Sequence, residues 1–338
     1  FRRVLFRSPG SRSSPLALAA ADHAAAITVH HDERGLGFAA LGWARATGRP
    51  AVVITTSGSA VANLWPSVCE AHLDGIPLIL LTADRPPELR DTGANQTMPQ
   101  PGLFGHYVRW QMDLPCPDVK VPASYLLSTI DEAYARAVGE PAGPVHLNQM
   151  FREPLAPVRV RDGSAAWQQT VARWWRQDTS WQIRVVGKRS PERRAVNDVA
   201  AWAKRRGIIV AGSLALSDDR AAVCQLGDAW GWPVLPDVRS GLRLDMEKHG
   251  VVSMIDQLLL GDHATNQLRP DCIVPVGGRL SSKRLNSWLA EAKVPYLHLS
   301  DHPDRLDPYG VVTDRWVVSP AKAIASLIKA SGKGKAPA

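Results

Sequence analysis

The sequence predicts two consecutive α/β domains, each built on a parallel β-sheet. Short apolar runs typical of buried strands alternate with segments whose apolar residues recur every three or four positions, and this alternation favours a parallel sheet with helices on both faces. A stretch rich in arginine, glutamine and tryptophan separates two such blocks. We therefore expect a first domain at residues 1–155, a linker at 156–190, a second, Rossmann-like domain at 191–330 and a flexible tail at 331–338.

Apolar runs and helical spacing define the elements of both blocks. The predicted strands are Ile27–His30, Ala51–Thr55, Leu78–Thr82 and Val145–Leu147 in the first block, and Gly207–Ala211, Asp271–Val276 and Tyr296–Leu299 in the second. Helices are predicted around Leu36/Ala40/Trp43, Val61/Trp65/Val68 and Leu126/Ile130/Ala133/Ala137, near Val196–Ala203 and Asp218–Ala229, and from Ser281 and Pro320. Parallel strands end at one edge of their sheet, so the turns after them are where we expect ligands to bind.

Composition excludes several classes of function. The chain has 338 residues, of which 45% are hydrophobic and 21% charged, and no apolar run is long enough for a membrane helix. Its net charge of +8 is scattered, so we expect no nucleic-acid partner. The four cysteines form no CxxC pair and the histidines show no metal-ligand spacing. This predicts reduced thiols in a cytoplasmic protein and no transition metal.

The first eight residues are too short and too charged for a signal peptide. Residues 4–8, Val-Leu-Phe-Arg-Ser, can be back-translated into a common sequencing-adapter end. Our hypothesis is that they replace native residues, and an unbroken native reading frame through these codons would contradict it.

Glu33 is the first candidate for chemistry. It stands in the run Val29-His-His-Asp-Glu-Arg-Gly-Leu-Gly37, where a predicted strand gives way to a helix. Carboxylates are favoured at helix N-termini by capping and by the helix dipole, but Asp32 alone can fill that role. Glu33 is then left without a structural task, and it suits a cofactor that needs one proton-accepting partner.

Two further turns of the first block carry small or polar side chains. Thr56-Ser57-Gly58-Ser59 follows the second predicted strand, and its glycine lets a flat ring approach the backbone; the alternative is a glycine turn with a serine N-cap. The loop from Arg85 through Asn95 and Gln96 to Gln100-Pro-Gly102 follows the third strand. Its guanidinium and amide groups suit a carboxylate substrate, and the alternative is a surface loop stiffened by prolines.

Two cationic sites complete the candidates. Pro9-Gly-Ser-Arg-Ser-Ser-Pro15 contains Ser11 and Arg12, which can hold an anion; a serine–proline helix start does not account for Arg12. Lys283 and Arg284 fall in the first turn of a predicted helix, where cations oppose the helix dipole and thus indicate a nearby anion.

The turn before that helix, Gly277-Gly278, lacks the full GxGxxG pattern of dinucleotide-binding domains. It is therefore weak evidence for nucleotide binding.

A family resemblance rests on motifs that follow one another in the order PGSRSSPLALAA, HHDERGLGFAALGWA, TTSGSAVANL, LILLTADRPPELRDTGANQ and QPG. The chain resembles the thiamine-diphosphate-dependent synthases of menaquinone biosynthesis that make 2-succinyl-5-enolpyruvyl-6-hydroxy-3-cyclohexene-1-carboxylate (SEPHCHC). The likeness is dense over residues 9–150 and looser beyond, through VGGRLSSKRL. It implies a pyrimidine-binding first domain, a central second domain and a cytoplasmic homo-oligomer, either a dimer or a tetramer.

The resemblance also implies a reaction and its residues. The succinyl carbanion equivalent of 2-oxoglutarate, formed by decarboxylation, adds to isochorismate. Glu33 matches the family glutamate that binds the aminopyrimidine ring of thiamine diphosphate, next to Ser57 and Gly58. The positions that match substrate-holding residues are Ser11, Arg12, Arg85, Asn95, Gln96, Lys283 and Arg284. Both substrates are dianions, which explains why cations and amides would converge on them.

One part of the family pattern has no match in the sequence. Family members carry a third domain with a Gly-Asp-Gly…Asn segment that binds Mg²⁺ and the diphosphate, and the cofactor lies between this domain and the first domain of another subunit. The resemblance therefore implies that the magnesium ligands are not on this chain. We expect the isolated chain to be inactive, and succinyl transfer from 2-oxoglutarate by it would contradict this.

Two alternatives stay open. Acetolactate synthases and 2-oxoacid decarboxylases share the glutamate and the TSG turn, but they are not expected to have the RPPEL…GANQ loop. A non-catalytic module of two Rossmann-like domains could hold a nucleotide or an acidic metabolite instead. Nucleotide binding that is indifferent to Glu33→Ala would favour the module.

Overall fold

The computed structural model describes residues 4–22, 26–156, 164–177, 179–187, 189–214, 216–244 and 250–332. The chain forms two compact units, Phe1–Val185 and Val186–Ala338, and their boundary falls inside the predicted linker. Each unit contains one parallel sheet with helices, which confirms the predicted α/β fold class. Over the described residues, no helix has the length and apolar character needed to cross a membrane.

The first unit is built on a six-stranded sheet. Its strands are β1 (Val4–Arg7), β2 (Ala26–Val29), β3 (Ala51–Thr55), β4 (Leu78–Asp84), β5 (Trp110–Leu114) and β6 (Pro144–Met150). They lie in the order β2-β1-β3-β4-β6-β5, and every neighbouring pair is parallel. The strand order reverses between β1 and β3, and such a switch point forms a ligand-binding crevice beyond the carboxyl ends of the strands.

Helices cover this sheet: α1 (Ser14–Ala21), α2 (Glu33–Thr47), α3 (Ser59–Ala62), α4 (Trp65–Asp74) and α5 (Ala123–Val138). The single helix predicted around Val61/Trp65/Val68 is in fact the pair α3 and α4. Pro66 lies in the first turn of α4, where its missing N–H breaks the hydrogen-bond ladder and favours a new helix start. In α5, Ile130 is 45% exposed and Thr129 is buried instead, so the predicted buried face was wrong at that position.

The core lies on both faces of the sheet. Leu36 of α2, Leu64 and Leu80 belong to one buried cluster, whereas Ile79, Leu147 and Ala133 of α5 belong to the cluster on the opposite face. Leu80 and Ile79 are neighbours in β4 and point to opposite faces, as strand geometry requires. This two-sided burial explains why the strands read as continuous apolar runs.

The predicted linker contains two short helices, α6 (Ser164–Gln169) and α7 (Ala172–Trp175). The Trp167 Nε1–H group donates to the carbonyl of Val121 at 2.6 Å. This bond attaches the segment to the first unit, as expected for tryptophans that pin a linker to a domain surface.

The second unit has the strands β7 (Gly207–Ala211), β8 (Val234–Pro236), β9 (Cys272–Val276), β10 (Leu297–Ser300) and β11 (Asp314–Val317). They form a parallel sheet in the order β11-β10-β9-β7-β8. Its helices are α8 (Arg193–Ala200), α9 (Ser217–Trp230), α10 (Ile255–Leu258), α11 (Asp262–Gln267), α12 (Lys283–Glu291) and α13 (Pro320–Ser331). Residues 333–338 of the predicted tail lie outside the described residues.

The Gly277-Gly278 turn has a packing explanation. The N–H of Gly278 donates to the carbonyl of Ser213 at 2.9 Å, and a Cβ on Gly212 would lie 2.2 Å from the carbonyl oxygen of Gly278. The turns after β7 and β9 therefore touch each other, and glycine is needed for that approach. A bound nucleotide is not needed to explain these glycines.

Candidate functional site

The predicted site residues of the first unit all follow strands at the carboxyl edge of its sheet. Ser11 and Arg12 follow β1, Glu33 follows β2, Ser57 and Gly58 follow β3, and Arg85, Asn95 and Gln96 follow β4. The turns on the two sides of the switch point are in contact, because a Cβ on Gly10 would lie 2.3 Å from the Cβ of Thr56. Only glycine lets the PGSR turn pack on the TTSGS turn.

Two neighbouring carboxylates at the start of α2, Asp32 and Glu33, differ in their partners. Asp32 caps the helix and accepts from the N–H groups of Arg34 at 2.8 Å and Gly35 at 3.1 Å. The hydrogen bond from Gly35 and those from Arg34 hold the pKa of Asp32 below its ordinary value. Glu33 is half-buried, and none of the side-chain hydrogen bonds or ion pairs found in the described part of the chain involves it. Its carboxylate is therefore available to a ligand.

Groups from two predicted segments, the turn after β3 and the loop after β4, are in contact. Ser57 Oγ donates to the carbonyl of Gln96 at 3.1 Å and accepts from the Arg85 guanidinium. Arg85 also donates to the carbonyl of Asn95 at 2.9 Å, and Gln96 Nε2 donates to the carbonyl of Ser57 at 3.1 Å. The structure thus brings together Ser57, Arg85, Asn95 and Gln96.

Gly58 forms the wall of this turn. Its φ of +77° lies in the left-handed region, and a Cβ would sit 3.0 Å from Gln96 Cγ. Both the backbone conformation and the space therefore require glycine.

Gln100 is a central residue to which the sequence assigned no role. It is fully buried, and its Oε1 accepts from the N–H of Gly58 at 2.8 Å. Its Nε2 donates to the carbonyl of Ala83 at 3.1 Å and to Asn148 Oδ1 at 2.8 Å. The QPG motif was the available signal, but the partners lie in the turn after β3, in β4 and in β6, and they become neighbours only in the folded sheet.

A buried polar network lies next to Gln100. Asn148 Nδ2 donates to Asp84 and to Asp113, both at 2.8 Å, and the Arg90 guanidinium bridges the same two carboxylates at 2.7 and 2.8 Å. Burial alone would raise the pKa of Asp113, but the hydrogen bonds from Arg90 and Asn148 outweigh it and lower the pKa. Such satisfied networks fix one arrangement of the surrounding chain.

His146 belongs to the same buried region. Its Nε2 is 2.8 Å from Thr82 Oγ1, and burial lowers its pKa to about 4. The imidazole is therefore neutral at physiological pH and serves as a hydrogen-bonding group.

Arg12 and Arg85 place two positive charges at the switch point. Arg12 is 5% exposed, and its Nη1 donates to the carbonyl of Phe151 at 2.9 Å. Burial lowers the pKa of Arg85, and the positive charge of Arg12 lowers it further, while Asp84 and Glu153 act in the opposite direction. Two guanidinium groups placed so that the charge of one lowers the pKa of the other favour an anion nearby. Ser11, on the same turn, is exposed.

Lys283 and Arg284 lie in the second unit. Helix α12 begins at Lys283, two residues after the predicted start at Ser281, and the Ser282 cap accepts from the N–H of Leu285 at 3.0 Å. Both cations lie in its first turn, as predicted. The two cations line a cavity of about 380 Å³. The other lining residues are Asp237, Val238, Asp256, Ser281 and Ser282.

Carboxylates of the chain itself stand at that helix start. Asp237 accepts from the N–H of Ser281 at 2.6 Å, Ser282 Oγ donates to Asp256, and Arg284 Nη1 donates to the carbonyl of Asp256 at 2.8 Å. Asp237 and Asp256 thus place negative charge at the start of the helix that carries the cationic pair.

Metal-binding clusters and disulfides do not occur in the described residues. No group of three or more histidine, cysteine, aspartate or glutamate side chains there could hold a metal ion. All four cysteines are free thiols, and burial raises the pKa of Cys272 to about 12, which makes this thiol inert.

Two family models match the chain. Residues 3–103 match the model described as "Thiamine pyrophosphate enzyme, N-terminal TPP binding domain", and residues 165–332 match the one described as "Middle domain of thiamine pyrophosphate". Thiamine pyrophosphate and thiamine diphosphate are the same cofactor.

Curated relatives carry one common name, 2-succinyl-5-enolpyruvyl-6-hydroxy-3-cyclohexene-1-carboxylate synthase. The relative from Rubrobacter xylanophilus is 44% identical over 335 residues, which is 98% of this chain and 57% of the relative. The one from Shewanella frigidimarina is 43% identical over 89% of this chain and 53% of the relative. The one from Salinibacter ruber is 41% identical over 96% of this chain and 56% of the relative. The chain thus spans about half the length of the curated relatives it matches.

A solved structure of a candidate thiamin diphosphate-dependent enzyme from Mycobacterium smegmatis has a TM-score of 0.66 to this chain at 18% identity, and the match covers 98% of this chain and 60% of the other. At this identity the likeness shows a shared fold. The two family models and the curated relatives confirm the resemblance seen in the sequence. The chain belongs to the thiamine-diphosphate-dependent enzymes, of which it carries the N-terminal and the middle domain, and within that family it is similar to the SEPHCHC synthases.

Proposed function

We propose that the chain is part of a SEPHCHC synthase, which decarboxylates 2-oxoglutarate and transfers the succinyl unit to isochorismate. The observation that carries the proposal is the grouping of Arg12, Arg85, Ser57 and Gln96 at the switch point of the first sheet. A pair of cations with convergent amide and hydroxyl groups suits substrates that are dicarboxylates. The relatives that carry this name are 41–44% identical to the chain.

The first unit fits the aminopyrimidine half of thiamine diphosphate. Glu33 has a carboxylate without a partner among the described residues, and Gly58 makes a tight turn after β3, packed so closely on Gln96 that a Cβ has no room. When bound, the cofactor supplies the nucleophilic carbon and the electron sink for decarboxylation. In our proposal Glu33 holds the proton that it shares with a ring nitrogen, and Ser57 and Gly58 form the wall against the ring.

The remaining parts of the proposal rest on the family resemblance. The family models match an N-terminal and a middle domain only, so we assign the Mg²⁺ and diphosphate ligands to residues outside these two domains. Ser11, Asn95, Lys283 and Arg284 stay predicted substrate residues. We also propose a homo-oligomer in the cytoplasm; the four free thiols agree with a reducing compartment.

Cofactor binding tests the proposal directly. We expect thiamine diphosphate to bind the wild-type chain, measured by calorimetry, and Glu33→Ala to weaken this binding at least tenfold because the ring nitrogen loses its partner. Asp32→Asn is the matched control, since it removes the neighbouring charge but keeps a good N-cap, and it should bind like the wild type.

Adenine nucleotides serve as the competing ligand in the same titration. Nucleotide binding that is indifferent to Glu33, without binding of thiamine diphosphate, would contradict the proposal and favour a nucleotide-binding module. A 2-oxoacid enzyme of the acetolactate synthase type would instead prefer pyruvate to 2-oxoglutarate as the bound acid.

A further inference from the structure

A carboxylate of the chain itself stands at the arginine site. The Arg12 side chain is 6% exposed, and its Nη2 lies 3.4 Å from Glu153 Oε1. The Glu153 side chain is 76% exposed, so it reaches the buried guanidinium from the solvent side. Glu153 follows β6 and belongs to none of the motifs that predicted the site.

The charges around Arg12 and Arg85 are not balanced by fixed groups. Asp84 accepts from Arg90 at 2.7 Å and from Asn148 at 2.8 Å and is committed to that network. The Arg12 Nε atom is buried without a hydrogen-bond partner in the described part of the chain. A buried cation is stable only with a counterion or an equivalent set of hydrogen bonds, and Glu153 is the exposed carboxylate that partly meets this need.

The bond between Glu153 and Arg12 is loose. A charge-assisted N–H···O bond is ordinarily about 2.7–2.9 Å long, whereas this one is 3.4 Å and involves a single oxygen. The neighbouring pair Arg152 and Glu88 forms two bonds, at 2.6 and 3.0 Å. Glu153 can therefore give way to a carboxylate that binds Arg12 better, because its own bond is long and uses a single oxygen.

We propose that Glu153 is an internal counterion of the Arg12–Arg85 pair which a carboxylate group of the substrate replaces, so that Glu153 sets the affinity of the site. The proposal rests on the proposed function, because a dicarboxylate is the ligand expected there. Every incoming carboxylate must displace Glu153 first. Removing the charge of Glu153 then strengthens binding instead of weakening it, which is the opposite of what a residue that contacts the substrate favourably would do.

The test is a titration of the 338-residue chain with 2-oxoglutarate, followed through the arginine Nε–Hε signals in NMR spectra. We expect the dissociation constant of Glu153→Gln to be about two- to fivefold lower than that of the wild type, the range that exposed ion pairs provide. Glu153→Ala should also lower the dissociation constant. Glu88→Gln is the matched control: it removes the same charge from the adjacent exposed pair, and its dissociation constant should stay at the wild-type value.

Each other outcome has a definite meaning. Equal affinities of the wild type and both Glu153 variants would overturn the role of Glu153 and leave the proposed function standing. If Glu88→Gln lowered the dissociation constant as much as Glu153→Gln, the effect would be one of general charge, and this too would overturn the role of Glu153. If no variant binds 2-oxoglutarate at tens of millimolar, both the counterion and the proposed carboxylate site are wrong. Both Glu153 variants remove the counterion of the buried Arg12, so we expect a small drop in melting temperature; the titrations are therefore run well below the melting temperature of each variant.

Discussion

Replacing Gln100 by leucine should destabilise the first unit by about 2–6 kcal/mol. Leucine has nearly the volume of glutamine, so no large cavity forms, but the Gly58 N–H and the Ala83 carbonyl lose partners that now lie at 2.8 and 3.1 Å. Each buried group left without its hydrogen bond costs about 1–3 kcal/mol. Asn148 Oδ1 keeps a bond from Thr82 at 3.1 Å, so we count only two orphaned groups.

Gln100→Glu separates shape from hydrogen bonding. The carboxylate can still accept from Gly58, but it cannot donate to Ala83 or Asn148 and instead faces their oxygens. We therefore expect a loss at least as large as that of Gln100→Leu, although the side chains of glutamate and glutamine have the same shape.

Native-state hydrogen exchange is the assay, because amides of β4 report on the first unit by itself. In Gln100→Leu, the amide of Gly58 should show the largest increase in exchange rate over the wild type. Gln111→Leu is the control: this glutamine is exposed on β5, and its replacement should change the free energy of unfolding by less than about 0.5 kcal/mol. A Gln100→Leu protein within 1 kcal/mol of the wild type, with slow Gly58 exchange, would refute the reasoning.

Two further predictions concern the same region. Gly58→Ala should destabilise the first unit by about 1–3 kcal/mol, since alanine is strained at positive φ, and should abolish thiamine diphosphate binding; a stable variant with unchanged affinity would contradict this. Burial lowers the pKa of His146 to about 4, whereas the unfolded value is about 6.5. The unfolded state therefore binds more protons between these pH values, and His146 by itself should lower stability by about 3 kcal/mol from pH 7 to pH 4. Denaturant unfolding should show this slope in the wild type and a smaller one in His146→Gln.

The sequence predicted the parts of the fold that carry a strong local signal. Strand β3 was predicted with its observed bounds, Ala51–Thr55, because its apolar run ends at the TTSGS turn. The edge strands β5 and β11 were missed, since Trp110–Leu114 and Asp314–Val317 mix polar and apolar residues and have partners on one side only. Val4–Arg7 also forms a strand, β1, with Phe6 in the core.

The residues of the candidate site also fall into those with a local sequence signal and those without one. Arg85 and Gln96 became candidates because their motifs are contiguous in sequence. Gln100 and Asn148 could not be paired by any local rule, because they meet only when β6 lies beside β4 in the sheet. Glu153 was missed for a similar reason: its partner Arg12 lies 141 positions earlier in the chain.

The loop from Arg85 to Gln100 is fastened at its start, middle and end. Arg85 is bonded to Ser57, Arg90 to two carboxylates, and Gln100 to the strands beneath. A loop held in this way does not open and close as a lid, because every opening would break bonds at buried groups. Ligands must therefore enter past a loop that does not move. The motion that admits or releases them has to come from single side chains or from the opposite side of the crevice. Variants that lengthen this loop to widen the site would therefore lose its anchors before they gained any room.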